Sequence, residues 1–275
     1  MSGGTNMSQG PVFDVFVDTV DRWRWRVVLG ADVVFSSPGS HATEAQCRAD
    51  VERFRGLVTG APVLRDAFEA GGLLSGREDI DIVRRSKVLA AGSMGRSRMI
   101  DERCAAAVQG DFLEMGVFRG GTASILGWHA ARTGRAVHLY DTFRGLPELS
   151  GGDAGAQDFR AGQMARTIAQ VKSNLAALGI DLSVFRWHEG EVNASTRVEG
   201  SIALAHLDMD LYEGTLEGCK VVWPRLARGG VILVHDYDNA NLPGCGRAVD
   251  EFEASLAPGS FRASTREQCR VIEKL

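Results

Sequence analysis

The stretch from Asp111 to Ser124, DFLEMGVFRGGTAS, constrains the fold more than any other part of the chain. A short apolar run reaches Glu114, turns through Gly116, and closes on Gly120 and Gly121 before small residues that can start a helix. An apolar strand running into glycines and then a helix is the sequence form of a nucleotide-binding turn. Gly116 lets the chain turn without a Cβ, and Gly120 and Gly121 let the backbone approach a ligand. A helix from about Thr122 would aim free N–H groups at that ligand. The spacing is E-x-G-x-x-x-G-G, not the G-x-G-x-x-G of a dinucleotide pyrophosphate site. Glycine-rich turns also serve packing alone, so the rest of the chain must decide.

Downstream of this turn, strand and helix alternate. AVHLYDTF is a second apolar strand ending in Asp141, 25 residues after Gly116 (141 − 116). An acid at that place in nucleotide-binding α/β folds accepts hydrogen bonds from ribose hydroxyls. A helix is expected over about 162–178, after a glycine-rich loop (GGDAGAQDF) expected to be mobile. LSVFRWHEGE is a third strand and turn, placing Glu189, Gly190 and Glu191 where adenine would be held. IALAHLD is the fourth strand, a helix comes after it, and VILVHDYD (231–238) is the fifth. A helix over about 247–256 and two short strands complete the pattern. Such alternation requires a mostly parallel, doubly wound sheet covered on both faces, with ligands at the carboxyl ends of the strands.

Those ends carry an acidic constellation. Asp208 and Asp210 leave the fourth strand, and His235, Asp236 and Asp238 leave the fifth, 27 residues on (235 − 208). Clustered carboxylates are costly unless something positive joins them, and a divalent cation is the simplest solution. A cluster of caps and surface acids is the plainer alternative.

Upstream, the chain reads differently. Residues 1–10 are polar and glycine-rich, which fits a disordered tail. VFDVF, RWRWRVV and VVFSS alternate with period two and read as strands, and Ala45, Val51, Phe54 and Leu57 recur at helical spacing after Thr43. Trp23 and Trp25 share one face and Arg22, Arg24 and Arg26 the other. That face could bind nucleic acid, but a core Trp face with solvated arginines is the preferred reading. Residues 61–76, rich in small residues and holding Pro62, form the expected linker. Residues 77–108 read as helical, interrupted near Gly92–Gly95, either a lid or a packing helix.

At 275 residues the chain suits one α/β domain plus a lesser unit. A net charge of −4 gives no general attraction to nucleic acid or acidic membranes. Nothing approaches a membrane span or a signal peptide, and five scattered cysteines read as reduced thiols, so a cytoplasmic protein is expected.

These motifs carry two resemblances. Residues 11–60 resemble the YegP-like domain of unknown function, through the W-R-W-R strand and HATEAQCRADVERF. The second domain, 77–275, resembles the macrocin O-methyltransferase family of class I S-adenosylmethionine-dependent methyltransferases, through GDFLEMGVFRGG, DTFRGLP, LDMDLYEGT, VHDYDN and PGCGRAVDEF, which run in order from about Gly110 to Phe252. The resemblance implies a Rossmann-like fold and a metal-assisted O-methyltransferase acting on a small-molecule hydroxyl, such as a sugar of an antibiotic. It implies S-adenosylmethionine at Glu114, Gly116, Gly120, Gly121, Ser124, Asp141, Glu189 and Gly190. It implies Mg²⁺ or Mn²⁺ at Asp208, His235 and Asp236, with Asp208 as base. His235 departs from the family's usual Asp. It can be a ligand favouring Mn²⁺, the base itself, or an orienter of Asp236. A homo-oligomer without nucleic-acid or membrane partners is expected. A nicotinamide-dependent oxidoreductase would share the sheet but lacks its fingerprint here; a non-catalytic ligand-binding or scaffold protein is the other alternative.

Overall fold

The computed structural model describes residues 12–17, 22–29, 32–36, 40–60, 82–87, 89, 93–156 and 159–275. The expected tail and linker lie outside them. Two compact units divide the chain, Met1–Ile80 and Asp81–Leu275.

In the first unit, β1 (Val12–Val17), β2 (Trp23–Leu29) and β3 (Asp32–Ser36) form an antiparallel sheet in that order, followed by helix α1 (Glu44–Gly60). Period-two alternation puts Trp25 and Val27 on the face that packs with Cys47 and Val51 of α1. On the other face Arg26 pairs with Asp14 at 2.6 Å. The Trp/Arg strand is thus half core and half ion-paired surface.

The second unit begins with α2 (Ile82–Ser86) and α3 (Met94–Ala105), the latter capped by the Ser93 side chain. Seven strands come next: β4 (Asp111–Met115), β5 (Val137–Asp141), β6 (Phe185–Glu189), β7 (Ile202–Leu207), β8 (Leu226–Val234), β9 (Phe261–Arg266) and β10 (Cys269–Lys274). Their order is β6-β5-β4-β7-β8-β10-β9. All neighbours are parallel except β10, which is antiparallel to β8 and β9. Interleaved are α4 (Gly121–Thr133), α5 (Ile168–Ala177), α6 (Tyr212–Val222) and α7 (Pro243–Ser255).

β7 is buried at every position, as a strand covered on both faces must be. Successive residues of β4 feed opposite layers: Phe112 packs with Ile125, Leu139 and Leu175, and Leu113 with Val222, Val249 and Phe252. The strand order reverses between β4 and β7, so the crevice for a ligand lies beyond their carboxyl ends.

Several features differ from the sequence reading, among them helix α7, which starts at Pro243 rather than near 247. Helix α5 starts at Ile168 rather than near 162, because Thr167 and Gln170 form a reciprocal capping box. Strand β8 starts at Leu226, ahead of its glycines, and stops at Val234, so His235 and Asp236 leave the strand. Residues 150–153, at the start of the loop expected to be mobile, are organised around the Asp153 side chain. That side chain is buried, accepts from Ser150, and accepts from the Tyr212 N–H at 2.7 Å.

Candidate functional site

Beyond the strand ends lies a cavity of about 800 Å³. Its walls include Gly116, Gly121, Asp141, Gly190, Asp208, His235 and Asp236, which the sequence placed at one site, and Arg96, which it did not.

The glycine loop is built around close approach. Gly116 has φ +82°, and a Cβ there would run into the Asp208 carbonyl oxygen. Its N–H donates to Tyr140 at 2.9 Å, while the Asp208 N–H donates to Met115 at 2.8 Å. The ends of β4, β5 and β7 are thus locked together. Asp141 completes the loop: one carboxylate oxygen accepts from the Val117 N–H (2.7 Å) and the Phe118 N–H (3.3 Å), the other from the Phe143 N–H (2.7 Å). It reaches the cavity wall as a brace of the turn that carries Gly116.

Three residues expected at the cofactor face elsewhere. Gly120, at φ +88°, faces α5: a Cβ there would press on Val171 and Leu175, the nearest atom at 3.1 Å. Ser124 is fully buried, its hydroxyl donating to the Gly121 carbonyl at 2.6 Å. The Glu189 carboxylate pairs with Arg144 at 3.2 Å, while Gly190 and Glu191, expected beside it, line the cavity. Tyr212, at the start of α6, turns its hydroxyl to Glu251.

Beneath the loop Glu114 is 2% exposed and lies 3.2 Å from Nδ1 of the fully buried His206. Burial, then the negative charges of Asp208 and Asp141, push the Glu114 carboxyl well above the carboxylate range. Burial also drives His206 down to about 3. The pair is therefore a neutral acid against a neutral imidazole.

The acids gather as their positions at the strand ends require. His235 Nδ1 lies 2.8 Å from Asp208 Oδ1 and 2.7 Å from Asp236 Oδ2. Burial alone would lower His235, but the Asp208 charge and hydrogen bonds to both carboxylates hold it up at about 10. Burial alone would raise Asp208; the charges of His235 and Arg96 outweigh it and hold the group well below the usual range. One ligand atom from each of Asp208, His235 and Asp236 falls within 4.8 Å of the others, so this donor set would fit a divalent cation that displaces the proton His235 now holds between the two carboxylates. The Asp236 φ of +60° and a hydrogen bond from Asn239 Nδ2 (2.7 Å) fix its orientation.

Arg96 belongs to none of the motifs, yet its spacing carries a signal. It stands three and four residues before Met99 and Ile100 on α3, so a cation shares the helix's buried apolar face.

Residues 89–257 match the macrocin-O-methyltransferase (TylF) family. A tetracenomycin-type rhamnoside 4'-O-methyltransferase of Streptomyces olivaceus is 32% identical over 53% of this chain and 58% of its own length. The mycinamicin III 3''-O-methyltransferase of Micromonospora griseorubida is 26% identical over 74% of this chain and 81% of its own. The chain thus spans under two thirds of the first relative and most of the second. Among solved structures, the O-methyltransferase NovP superposes with a TM-score of 0.59 at 25% identity, over 67% of this chain and 82% of that one. The fold is that of the class I methyltransferases, and the chain belongs to the macrocin-O-methyltransferase family.

Proposed function

We propose that this protein transfers a methyl group from S-adenosylmethionine to a sugar hydroxyl of a glycosylated natural product, assisted by a divalent cation. The observation that carries this reading is one cavity with the Gly116 turn on one wall and the Asp208/His235/Asp236 donor set on another. The relatives' activities on glycosides support the acceptor class.

When bound, S-adenosylmethionine supplies an electrophilic methyl on a sulfonium, and a divalent cation lowers the pKa of a hydroxyl beside it. The protein's part is placement and proton removal. The Gly116 turn and Gly190 would seat the nucleoside, with Asp141 holding the turn in shape. Asp208, His235 and Asp236 would hold the cation. Asp208 takes the hydroxyl proton, with His235 Nδ1 at 2.8 Å as its partner. Holding acceptor and methyl in line supplies much of the acceleration.

The N-terminal unit is read as a separate YegP-like domain over residues 11–60, joined through 61–76 to a catalytic domain of 77–275. The division of the chain near Ile80 supports it. A homo-oligomer in the cytoplasm completes the reading; no helix among the described residues is long and apolar enough to cross a membrane.

The test pairs calorimetry with turnover. S-adenosylhomocysteine should bind, a rhamnosylated acceptor should be methylated, and chelator should stop turnover until Mn²⁺ or Mg²⁺ is restored. His235→Asp should shift the preference toward Mg²⁺ by completing an all-oxygen set. Undiminished turnover in chelator, with no ion taken up by the protein, overturns the metal assignment.

A further inference from the structure

Arg96 is 6% exposed, and its Nη1 has no hydrogen-bond partner among the described residues. A buried cationic N–H left unmet is expensive, and such atoms are rare unless a ligand meets them. The nearest anion, Asp208 Oδ2, is 3.6 Å away, which gives attraction without a hydrogen bond. The guanidinium is not adrift. It leaves the first turn of α3, where the Ser93 hydroxyl accepts the Arg96 backbone N–H at 2.9 Å. Ser93 in turn donates to Glu267, whose carboxylate fills the space beside Gly95.

Its address is informative. Gly116 abuts the backbone of Asp208, Arg96 sits against the Asp208 side chain, and all three line the cavity, so the buried guanidinium lies at the wall beside the glycine turn. We propose that Arg96 receives the α-carboxylate of the methionine half of the cofactor. This assignment rests on the methyl-donor reading above.

Charge decides between candidate anions. The wall around Arg96 carries the carboxylates of Asp208 and Asp236. Bringing a phosphate dianion to that wall would set like charges together. The amino-acid end of the cofactor instead arrives as a carboxylate with its own ammonium and sulfonium close by. The acids can take the cationic groups while the guanidinium fork takes the carboxylate, a pairing that lysine matches poorly.

The test deletes the two halves of the contact separately. Calorimetry would measure S-adenosylhomocysteine and the analogue lacking only the α-carboxylate, on the wild type, Arg96→Met and Arg96→Lys. The wild type should prefer the carboxylate-bearing ligand by about 30-fold or more, the scale of a charge-assisted hydrogen bond. Arg96→Met should bring the ratio to within about threefold while leaving the affinity for the decarboxylated analogue unchanged. Arg96→Lys should give an intermediate ratio. A wild-type ratio near one overturns the assignment whether or not the Met variant folds. So does an equal loss of both ligands in Arg96→Met, the result of a merely structural role. So does a change confined to the acceptor KM, which would hand the guanidinium to the acceptor. If the folded wild type binds neither nucleoside, the cofactor reading fails first and takes this assignment with it.

Discussion

The two units treat their polar groups in opposite ways. In the N-terminal unit, Trp25 Nε1 donates to Asp50 at 2.8 Å, Arg26 grips Asp14, and Arg48 pairs with Glu44 one helical turn away. Even His41 Nε2, which lacks a hydrogen bond, lies 3.3 Å from Asp50. Around the strand ends of the second unit, Glu114, His206, Asp236 and Arg96 are all buried, and the first, second and fourth each keep an atom with no hydrogen-bond partner among the described residues. A described core of Trp25, Val27, Cys47 and Val51 has little stability to spare for such groups. A seven-stranded sheet filled on both faces can hold them, and where it does so a ligand's chemistry is already laid out.

The contrast breaks first at Asp208. Asp208→Asn removes a proposed base and a proposed metal ligand together, and turnover should fall about 10⁴-fold, some 5 kcal/mol of barrier. The thermal transition should also fall, because the buried Arg96 and His235 lose a counter-charge, so rates are compared at a temperature where both proteins are folded. A loss under tenfold in initial rates would mean the acids are spectators. Trp25→Ala is the mirror experiment. It should cost the N-terminal unit about 4 kcal/mol, typical of an emptied aromatic core site, while kcat of the second unit stays put. Turnover falling in step with the unfolding of residues 12–60 would show that the units are not independent.

Asp141→Ala should sharpen the picture of the glycine turn. Two loop N–H groups lose their acceptor, and cofactor affinity should drop by about 1.5–3 kcal/mol. Calorimetry giving wild-type affinity would remove Asp141 from the site. The smallest effect is alkaline. All three tyrosines lie in the second unit, and burial, then the Glu199 charge, push Tyr140 up to about 12. A folded pKa above the unfolded value gives stability that is whole below pH 10 and lost as pH climbs towards 12. The second unit should therefore lose about 2 kcal/mol across that window. Tyrosinate absorbance should lag in the folded protein and appear on unfolding. Full ionisation at pH 10 without unfolding would contradict it.

The strand ends were legible because period and spacing are local: β4, β5, β7 and β8 announce themselves as apolar runs, and the acids that end them must meet once the sheet is parallel. Gly116 was readable for the same reason, since a turn there needs positive φ. The direction of each side chain was not. Ser124 reads as a loop ligand until α4 begins at Gly121 and turns its hydroxyl inward. Gly120 reads as room for a ligand, yet its missing Cβ is room for Val171 and Leu175 of α5, far along the chain. Arg96 lies outside every motif, and only the tertiary path of α3 carries it to Asp208. Antiparallel closure by β10 was likewise unreadable, because which edge a short strand joins depends on partners far away in sequence.

That closure has a consequence for the order of events during synthesis. β9 precedes β10 in the chain but sits outside it in the sheet, so β9 has nothing to join when it first emerges. Until β10 arrives, β8 presents Val231, Ile232, Leu233 and Val234 along an unpaired edge. An apolar edge of that kind recruits any strand that reaches it. The nascent protein therefore passes through an interval of exposure to aggregation that ends when residues 270–273 dock on β8 and carry β9 in with them.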